Sequence, residues 1–283
     1  MRNNEERLGA NMARQDPFVP QAPQAADASA APLSFIVPTE HVMLPSGGKF
    51  YPEHHPLHGK DSIEIKQMTA KEEDILTSKN LLKKGVALDK LIQSLVVDKN
   101  INTDTLTIED RNAIIVAARI SAYGEEYATQ VACPECETKV KHTFNLLEKL
   151  ENQKIPESIT IAGDGTFDLL LPSTKWKIKC RALNGYDEKA ILKLSEAKKN
   201  GKESDSLLLE QLKMTIVEIQ GVSDKEMINR AIDAMPAKDS KYIRGMYERI
   251  VIPLDMTKTF KCENCEYEST LEVPLTADFF WFK

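Results

Sequence analysis

Helical periodicity marks the first half of the chain. Residues 88–96 carry five apolar side chains three or four positions apart, which places them on one face of a helix. Residues 114–120 are apolar nearly all round and predict a central, buried helix. Thr69 and Glu72 form a capping-box pair, which is typical of a helix start. Together these patterns predict a helical unit over residues 67–126.

Short, strand-like segments follow the helical unit. Residues 127–150 and residues 257–283 each contain two such segments around a pair of cysteines, which predicts two hairpins. Between them, residues 151–256 combine strands separated by glycine and proline turns with four helical segments, at 186–199, 205–219, 224–234 and 239–250. The sequence therefore predicts an α+β fold, in which a small antiparallel sheet with helices is inserted between two distant cysteine hairpins.

Two segments precede the helical unit. Residues 1–32 predict a disordered tail, because their alanine- and proline-rich second half has no large apolar residue to bury. This tail is either a spacer or a peptide that becomes ordered on a partner. Residues 33–66 carry four prolines and Gly47-Gly48, which predicts an extended arm on the surface. The arm superficially resembles a phosphate-binding loop, but no Ser or Thr follows Lys49, so we reject nucleotide binding.

Composition and charge exclude several classes of protein. The chain of 283 residues is 42% hydrophobic and 28% charged, as globular proteins are, and its longest apolar run is too short to span a bilayer. Its first residues lack the apolar core of a signal peptide, which predicts a cytoplasmic protein. The net charge of −6 provides no general attraction to nucleic acid.

Four of the five cysteines form two Cys-x-x-Cys pairs, Cys133 with Cys136 and Cys262 with Cys265. Two such turns can complete the tetrahedral shell of a structural Zn²⁺, and four sulfur ligands leave no open position for catalysis. The 125 residues between the pairs make the spacing unusual, so unpaired core thiols or a site that no longer binds metal are the alternatives. We predict a zinc-ribbon-like element formed by two distant knuckles.

Other candidate sites have simpler explanations. Cys180 has two basic neighbours but lies in a strand pattern, where a buried thiol is more common than a reactive one. His54, His55 and His58 lack a complete ligand set, which favours a solvated turn over a metal site. No nucleophile motif or carboxylate pair stands out, so the sequence predicts no enzyme.

Nucleic-acid binding or a transcription-related role is the alternative function, because zinc ribbons often serve that purpose. Lysines and glutamates alternate around both cysteine pairs, and no basic stripe results. We therefore predict no nucleic-acid partner.

The C-terminus is a cluster of aromatic residues that includes Phe279, Phe280 and Trp281. Such a cluster must be shielded from water. It either folds back on the chain's own sheet or inserts into a groove of another subunit, and the sequence leaves both arrangements open.

Several motifs occur together and in order along the chain. They are residues 44–52, 68–77, 81–85, 110–112 and 119–127, both cysteine pairs, and the terminal Phe-Phe-Trp. In this combination the chain resembles the baseplate hub assembly proteins of T-even-type tailed bacteriophages, over roughly residues 36–282.

The resemblance implies a non-enzymatic viral protein that helps to build the central hub of the tail baseplate, as an assembly factor or a minor subunit. It implies hub or tail proteins as partners, in the host cytoplasm during assembly or in the baseplate of the virion. The oligomeric state stays open. With the aromatic terminus included, the predicted partner-contact or fold-defining residues are Gly47, Gly48, Phe50, Tyr51, Phe279, Phe280 and Trp281.

Overall fold

The computed structural model describes residues 36–147, 159–199, 207–273, 275 and 277–280. It shows a protein of mixed helices and small antiparallel sheets. The helices are α1 (Ala70–Thr77), α2 (Lys79–Lys83), α3 (Ala87–Leu95), α4 (Ile108–Tyr123), α5 (Gly185–Lys199), α6 (Leu207–Thr215), α7 (Lys225–Asp233) and α8 (Ala237–Ile250), with short 3₁₀ helices at Thr103–Thr105 and Ala277–Phe280.

The strands form four separate antiparallel sheets. Strands β1 and β2, β3 and β4, and β8 and β9 make three two-stranded sheets, and β5, β6 and β7 make a three-stranded sheet in that order. Their bounds are β1 (Thr39–Met43), β2 (Ser62–Lys66), β3 (Glu126–Ala132), β4 (Lys139–Asn145), β5 (Thr166–Leu170), β6 (Lys177–Arg181), β7 (Ile216–Ile219), β8 (Thr257–Lys261) and β9 (Glu268–Glu272). Within the described ranges, no helix has both the length and the apolar character to cross a bilayer.

Buried apolar side chains form two cores. The first core joins the two ends of the described chain, since it takes its residues from 42–146 and from 256–280. The second core is built from residues 167–251 together with Phe50. Phe50 packs edge-on against Phe167, with ring centroids 6.3 Å apart, whereas its neighbour Tyr51 is buried in the first core. These adjacent aromatic residues therefore connect the two cores.

A buried aspartate fixes the loop between β1 and β2 on the start of α4. Asp110 accepts hydrogen bonds from the Ser46 amide (3.0 Å), the Ser46 hydroxyl (2.6 Å) and the Tyr51 hydroxyl (2.5 Å). Gly48 has a φ of +70°, and a Cβ there would lie 2.4 Å from the Lys60 carbonyl oxygen, so the loop requires glycine at this position. The segment predicted as a surface arm thus contributes buried residues to the first core.

A second buried aspartate has the same position in α8. Asp239 accepts hydrogen bonds from the Ser173 amide (2.8 Å), the Thr174 amide (2.9 Å) and the Thr174 hydroxyl (2.8 Å). The carboxylate lies in the first turn of the helix, where the helix dipole also favours negative charge. Asp239 therefore holds the turn between β5 and β6 against α8.

Arg119 connects α4 to the C-terminal aromatic residues. Its guanidinium is buried and donates to the carbonyl oxygens of Phe279 (3.2 Å), Gly124 (3.0 Å) and Glu126 (3.2 Å). It also lies 5.2 Å from the centre of the Tyr123 ring, within cation–π range. These contacts anchor the 3₁₀ helix Ala277–Phe280 in the first core.

The structure differs from the sequence expectation in the region of residues 205–219. A helix is predicted throughout, but α6 ends at Thr215 and the chain continues directly as β7. Strand β7 pairs with β6, and Ile216 and Ile219 are buried in the second core. Pairing with a neighbouring strand therefore overrides the local helical pattern.

Candidate metal centre

Both cysteine pairs lie at hairpin tips. Cys133 directly follows β3, and Cys136 is in the turn that leads to β4. Cys262 directly follows β8, and Cys265 is in the turn that leads to β9. The hairpins bring together two segments that are more than 100 residues apart in the sequence.

The two turns have the same backbone geometry. Cys133 N–H donates to the Thr138 carbonyl (3.0 Å), and Cys262 N–H donates to the Tyr267 carbonyl (2.8 Å). The glutamate after each second cysteine has a left-handed φ, 55° at Glu137 and 57° at Glu266. Each turn thereby directs both of its sulfur atoms to the same side.

The four sulfur atoms lie close enough to share one ion. Cys133 Sγ is 3.7 Å from Cys265 Sγ, and Cys136 Sγ is 3.8 Å from Cys262 Sγ. All four Sγ atoms lie within 4.8 Å of one another. A tetrahedron with metal–sulfur bonds near 2.3 Å has edges of about 3.8 Å, so the donor set fits a tetrahedral metal.

Burial differs within each pair in the same way. Cys133 and Cys262 are buried, whereas Cys136 is half-buried and Cys265 is exposed. The first cysteine of each pair therefore faces the first core, and the second faces solvent. One side of the cluster is thus protected by the hydrophobic core, as a structural site requires.

The second cysteines of the two pairs, Cys136 and Cys265, have opposite tendencies to ionise. Hydrogen bonds from Thr138 and Asn264 lower the pKa of the Cys136 thiol to about 6. The Tyr267 amide acts to lower the pKa of Cys265, but desolvation and the neighbouring thiols raise it to about 12. Cys265 therefore resists ionisation beside its neighbours, and a bound cation would remove that resistance, because it deprotonates coordinating thiols.

Several residues that support the cluster were missed in the sequence. Asn264 Nδ2 lies 3.6 Å from Cys136 Sγ, so it reaches from one turn to the other. His142 donates to the Thr259 carbonyl (3.2 Å) and packs on Phe260, which holds the two hairpins together. The shared glutamate after each second cysteine was visible in the sequence, whereas Asn264 and His142 leave no local signal.

Four of the residues predicted to be partner-contact or fold-defining are buried in the cores. Phe50, Tyr51, Phe279 and Phe280 are all buried inside the chain, so their side chains form the cores and present no contact surface in this conformation. Phe279 and Phe280 fold back on the chain, which is the first of the two arrangements that the sequence left open. Gly47, like Gly48, has a positive φ and shapes the loop.

The remaining sequence candidates have structural explanations. Cys180 is buried in the second core, and burial raises the pKa of its thiol to about 12, as for an unreactive cysteine. His55 and His58 make hydrogen bonds within the turn, His58 with the Tyr51 carbonyl (2.6 Å). Trp281 and the predicted tail, residues 1–32, lie outside the described residues.

The fold and the site define a class of protein: a mixed helical and antiparallel-sheet chain whose distant halves meet at a four-cysteine cluster. The chain belongs to the T4 bacteriophage base plate protein family, whose model matches residues 37–281. No curated protein and no solved structure matches the chain significantly. The chain is therefore a phage baseplate protein, and family membership indicates other baseplate proteins as partners and the tail baseplate as its location.

Proposed function

We propose that the chain acts without catalysis in building the baseplate hub, as an assembly factor or minor hub subunit that binds other baseplate proteins. The observation that carries this proposal is the family match, which extends over residues 37–281 and so includes both cores and the cysteine cluster. The hub in particular is supported by the resemblance of the sequence motifs to baseplate hub assembly proteins.

We also propose that the four cysteines hold a structural Zn²⁺. Zinc is the metal that best suits four thiolates in tetrahedral geometry. The ion would connect the β3–β4 hairpin to the β8–β9 hairpin and thereby close the first core. A rigid first core presents a defined surface to partners, which is a task that needs no chemistry at the metal.

Charges around the cluster favour a protein partner over nucleic acid. The turns expose Glu135, Glu137, Glu263 and Glu266 beside the sulfur atoms. Lys261, on the nearby strand β8, forms an ion pair with Glu268 (2.6 Å). Lys139 and Lys141 are exposed nearby as well, so the surface is of mixed charge and has no basic patch for phosphate, and the zinc-ribbon nucleic-acid-binding alternative is not favoured.

The test is assembly in infected cells. Phage that lacks the chain should accumulate no complete hub, while heads and tail fibres form normally. A tagged chain should co-purify with hub intermediates, and Cys262→Ser should reduce that recovery whereas Cys180→Ala should not. Complete baseplates in the absence of the chain would overturn the proposal.

A further inference from the structure

Helix α8 carries an open groove at the edge of the second core. The groove has a volume of about 400 Å³. Pro172, Tyr242 and Met246 form its apolar lining, and Lys238, Lys241 and Arg249 surround them. The groove thus combines an apolar floor with positive charge.

The three cations that surround the groove have no partners among the described residues. Lys238, Lys241 and Arg249 are exposed, and none of them forms a hydrogen bond or ion pair with any residue that the structure describes. By contrast, Arg111 and Arg181 each bind carboxylates. Unpaired cations that surround an apolar groove, on a chain of net charge −6, suit a negatively charged ligand with an apolar side chain.

Gly245 lies in the same groove and provides an independent observation. It is in the interior of α8, where glycine is the poorest helix former apart from proline. A Cβ at this position would meet nothing within 4 Å, and its φ is not positive, so no contact within the described chain requires glycine. The missing side chain leaves room for a group from outside to approach the helix backbone closely.

Hydrogen bonds hold the two sides of the groove together. Asp239 holds Ser173 and Thr174 on the first turn of α8, and this fixes Pro172 beside the helix. At 1.5 Å per residue, Lys238 and Arg249 lie about 16 Å apart along the helix axis. A segment of several residues is needed to contact both ends.

We propose that this groove, the α8 groove, docks an acidic segment of another baseplate protein that places an apolar side chain over Gly245. The carboxylates of such a segment would pair with the three cations, and the apolar residue would cover Tyr242 and Met246. An acidic peptide fits better than nucleic acid, because three cations on an acidic chain provide little phosphate affinity and the floor is apolar. This inference rests on the proposed protein-binding function and adds the chemistry of the partner.

The test is photo-cross-linking in infected cells from position 244. Arg244 is exposed beside the groove and does not line it, so a benzophenone amino acid at this position leaves the groove intact. Mass spectrometry of the cross-linked peptide should identify an acidic segment of a baseplate protein. Combined Lys238→Glu, Lys241→Glu and Arg249→Glu substitutions should reduce the cross-link at least about tenfold.

Three further variants separate groove binding from general charge effects. Lys79→Glu, Lys83→Glu and Lys84→Glu change the net charge equally at exposed positions outside the groove, and they should leave the cross-link unchanged. Gly245→Phe should block the groove without altering its charges, whereas Gly245→Ala should have a smaller effect. The groove triple variant should therefore lose most of the cross-link, and the control triple variant should keep it.

The outcomes distinguish this inference from the broader function. A cross-link to nucleic acid, to a second copy of the chain or to a segment without acidic residues would overturn the inference, as would a signal that survives both charge reversal and Gly245→Phe. Each of these results leaves co-purification with hub intermediates intact. If co-purification itself fails, the proposed function fails with it.

Discussion

The two cores share one feature and differ in another. In each core, a buried aspartate in the first turn of a helix accepts three hydrogen bonds from a loop 59–66 residues earlier in the chain, Asp110 in the first core and Asp239 in the second. Only the first core also contains a contact between cysteines 126–132 residues apart. Contacts between cysteines far apart in the sequence are thus found in the first core.

This difference has a thermodynamic consequence. Closing a longer loop costs more chain entropy, so the first core needs strong bonds between its two halves. The second core is nearly contiguous in sequence and is closed by apolar packing. We therefore expect the first core to depend on the metal and the second to be largely independent of it.

Removing one of the four proposed metal ligands should have the largest effect. Cys262→Ser should destabilise the first core by at least about 4 kcal/mol, because structural metal binding contributes directly to folding. Hydrogen exchange should show lost protection in β3, β4 and β8 and retained protection in β5 and β6. Cys180→Ala in the second core is the matched control, and equal loss of protection in both cores would contradict the comparison.

Removing Asp110 should cost about 3 kcal/mol, because it leaves three buried donors unpaired. Removing Asp239 should cost about 2 kcal/mol, because its three donors are only partly buried. Denaturant unfolding of Asp110→Ala and Asp239→Ala measures this, and Tyr51→Phe, which removes one donor, should cost about 1 kcal/mol. Burial acts to raise the pKa of Asp239, but the Thr174 and Ser173 amides hold it below its ordinary value. Its contribution is therefore present above the unfolded pKa of about 4 and is lost at lower pH.

An Asp239→Ala penalty that persists undiminished at pH 2 would show that the hydrogen bonds to its ionised carboxylate are not the source of stability. A penalty much larger for one aspartate than for the other would end the parallel between the cores.

The contact between Glu109 in α4 and the Leu254 amide should weaken as pH rises. Burial raises the pKa of Glu109, which accepts from the Leu254 amide (3.2 Å), to about 7 from an ordinary 4.5. A carboxyl group with a raised folded pKa contributes stability below pH 4.5, and that stability is lost as pH rises through 7. Glu109→Gln should therefore stabilise the protein by about 1–2 kcal/mol at pH 8, allowing for partial solvent screening.

Thermal unfolding between pH 5 and pH 8 measures this effect. The wild-type protein should lose stability over the interval and Glu109→Gln should not, and parallel curves would refute the assignment.

The smallest expected change in stability comes from a substitution on the exposed face of α8, at the edge of the second core. Gly245→Ala should stabilise α8 by about 0.8 kcal/mol, since alanine is the better helix former and its Cβ meets no neighbour. Denaturant unfolding measures the gain. Destabilisation would mean that this position is constrained within the chain, which would also weaken the case for a docking groove.

Local signals in the sequence predicted much of the fold. The capping box of Thr69 and Glu72 is present in α1, and the apolar stripe of residues 88–96 is the buried face of α3. The cysteine spacing and flanking strands indicated two similar hairpins, which the structure shows. These features depend on neighbours within a few residues, so the sequence displays them directly.

Long-range polar contacts could not be predicted. Asp110, Asp239 and Arg119 are buried charged residues, yet charged residues are usually exposed and nothing nearby identifies their distant partners. The loop motif of residues 44–52 was recognisable. Its hydrogen bonds to Asp110, however, depend on a helix that begins more than 50 residues later. Tertiary context alone determines these contacts.

Metal analysis of the purified protein tests the central claim most directly. Protein prepared without chelators should contain one zinc ion per chain, with X-ray absorption showing four sulfur ligands near about 2.3 Å. Cys262→Ser should lose the zinc and Cys180→Ala should retain it. Well-folded protein with four free thiols at Cys133, Cys136, Cys262 and Cys265, and no bound metal, would contradict the account.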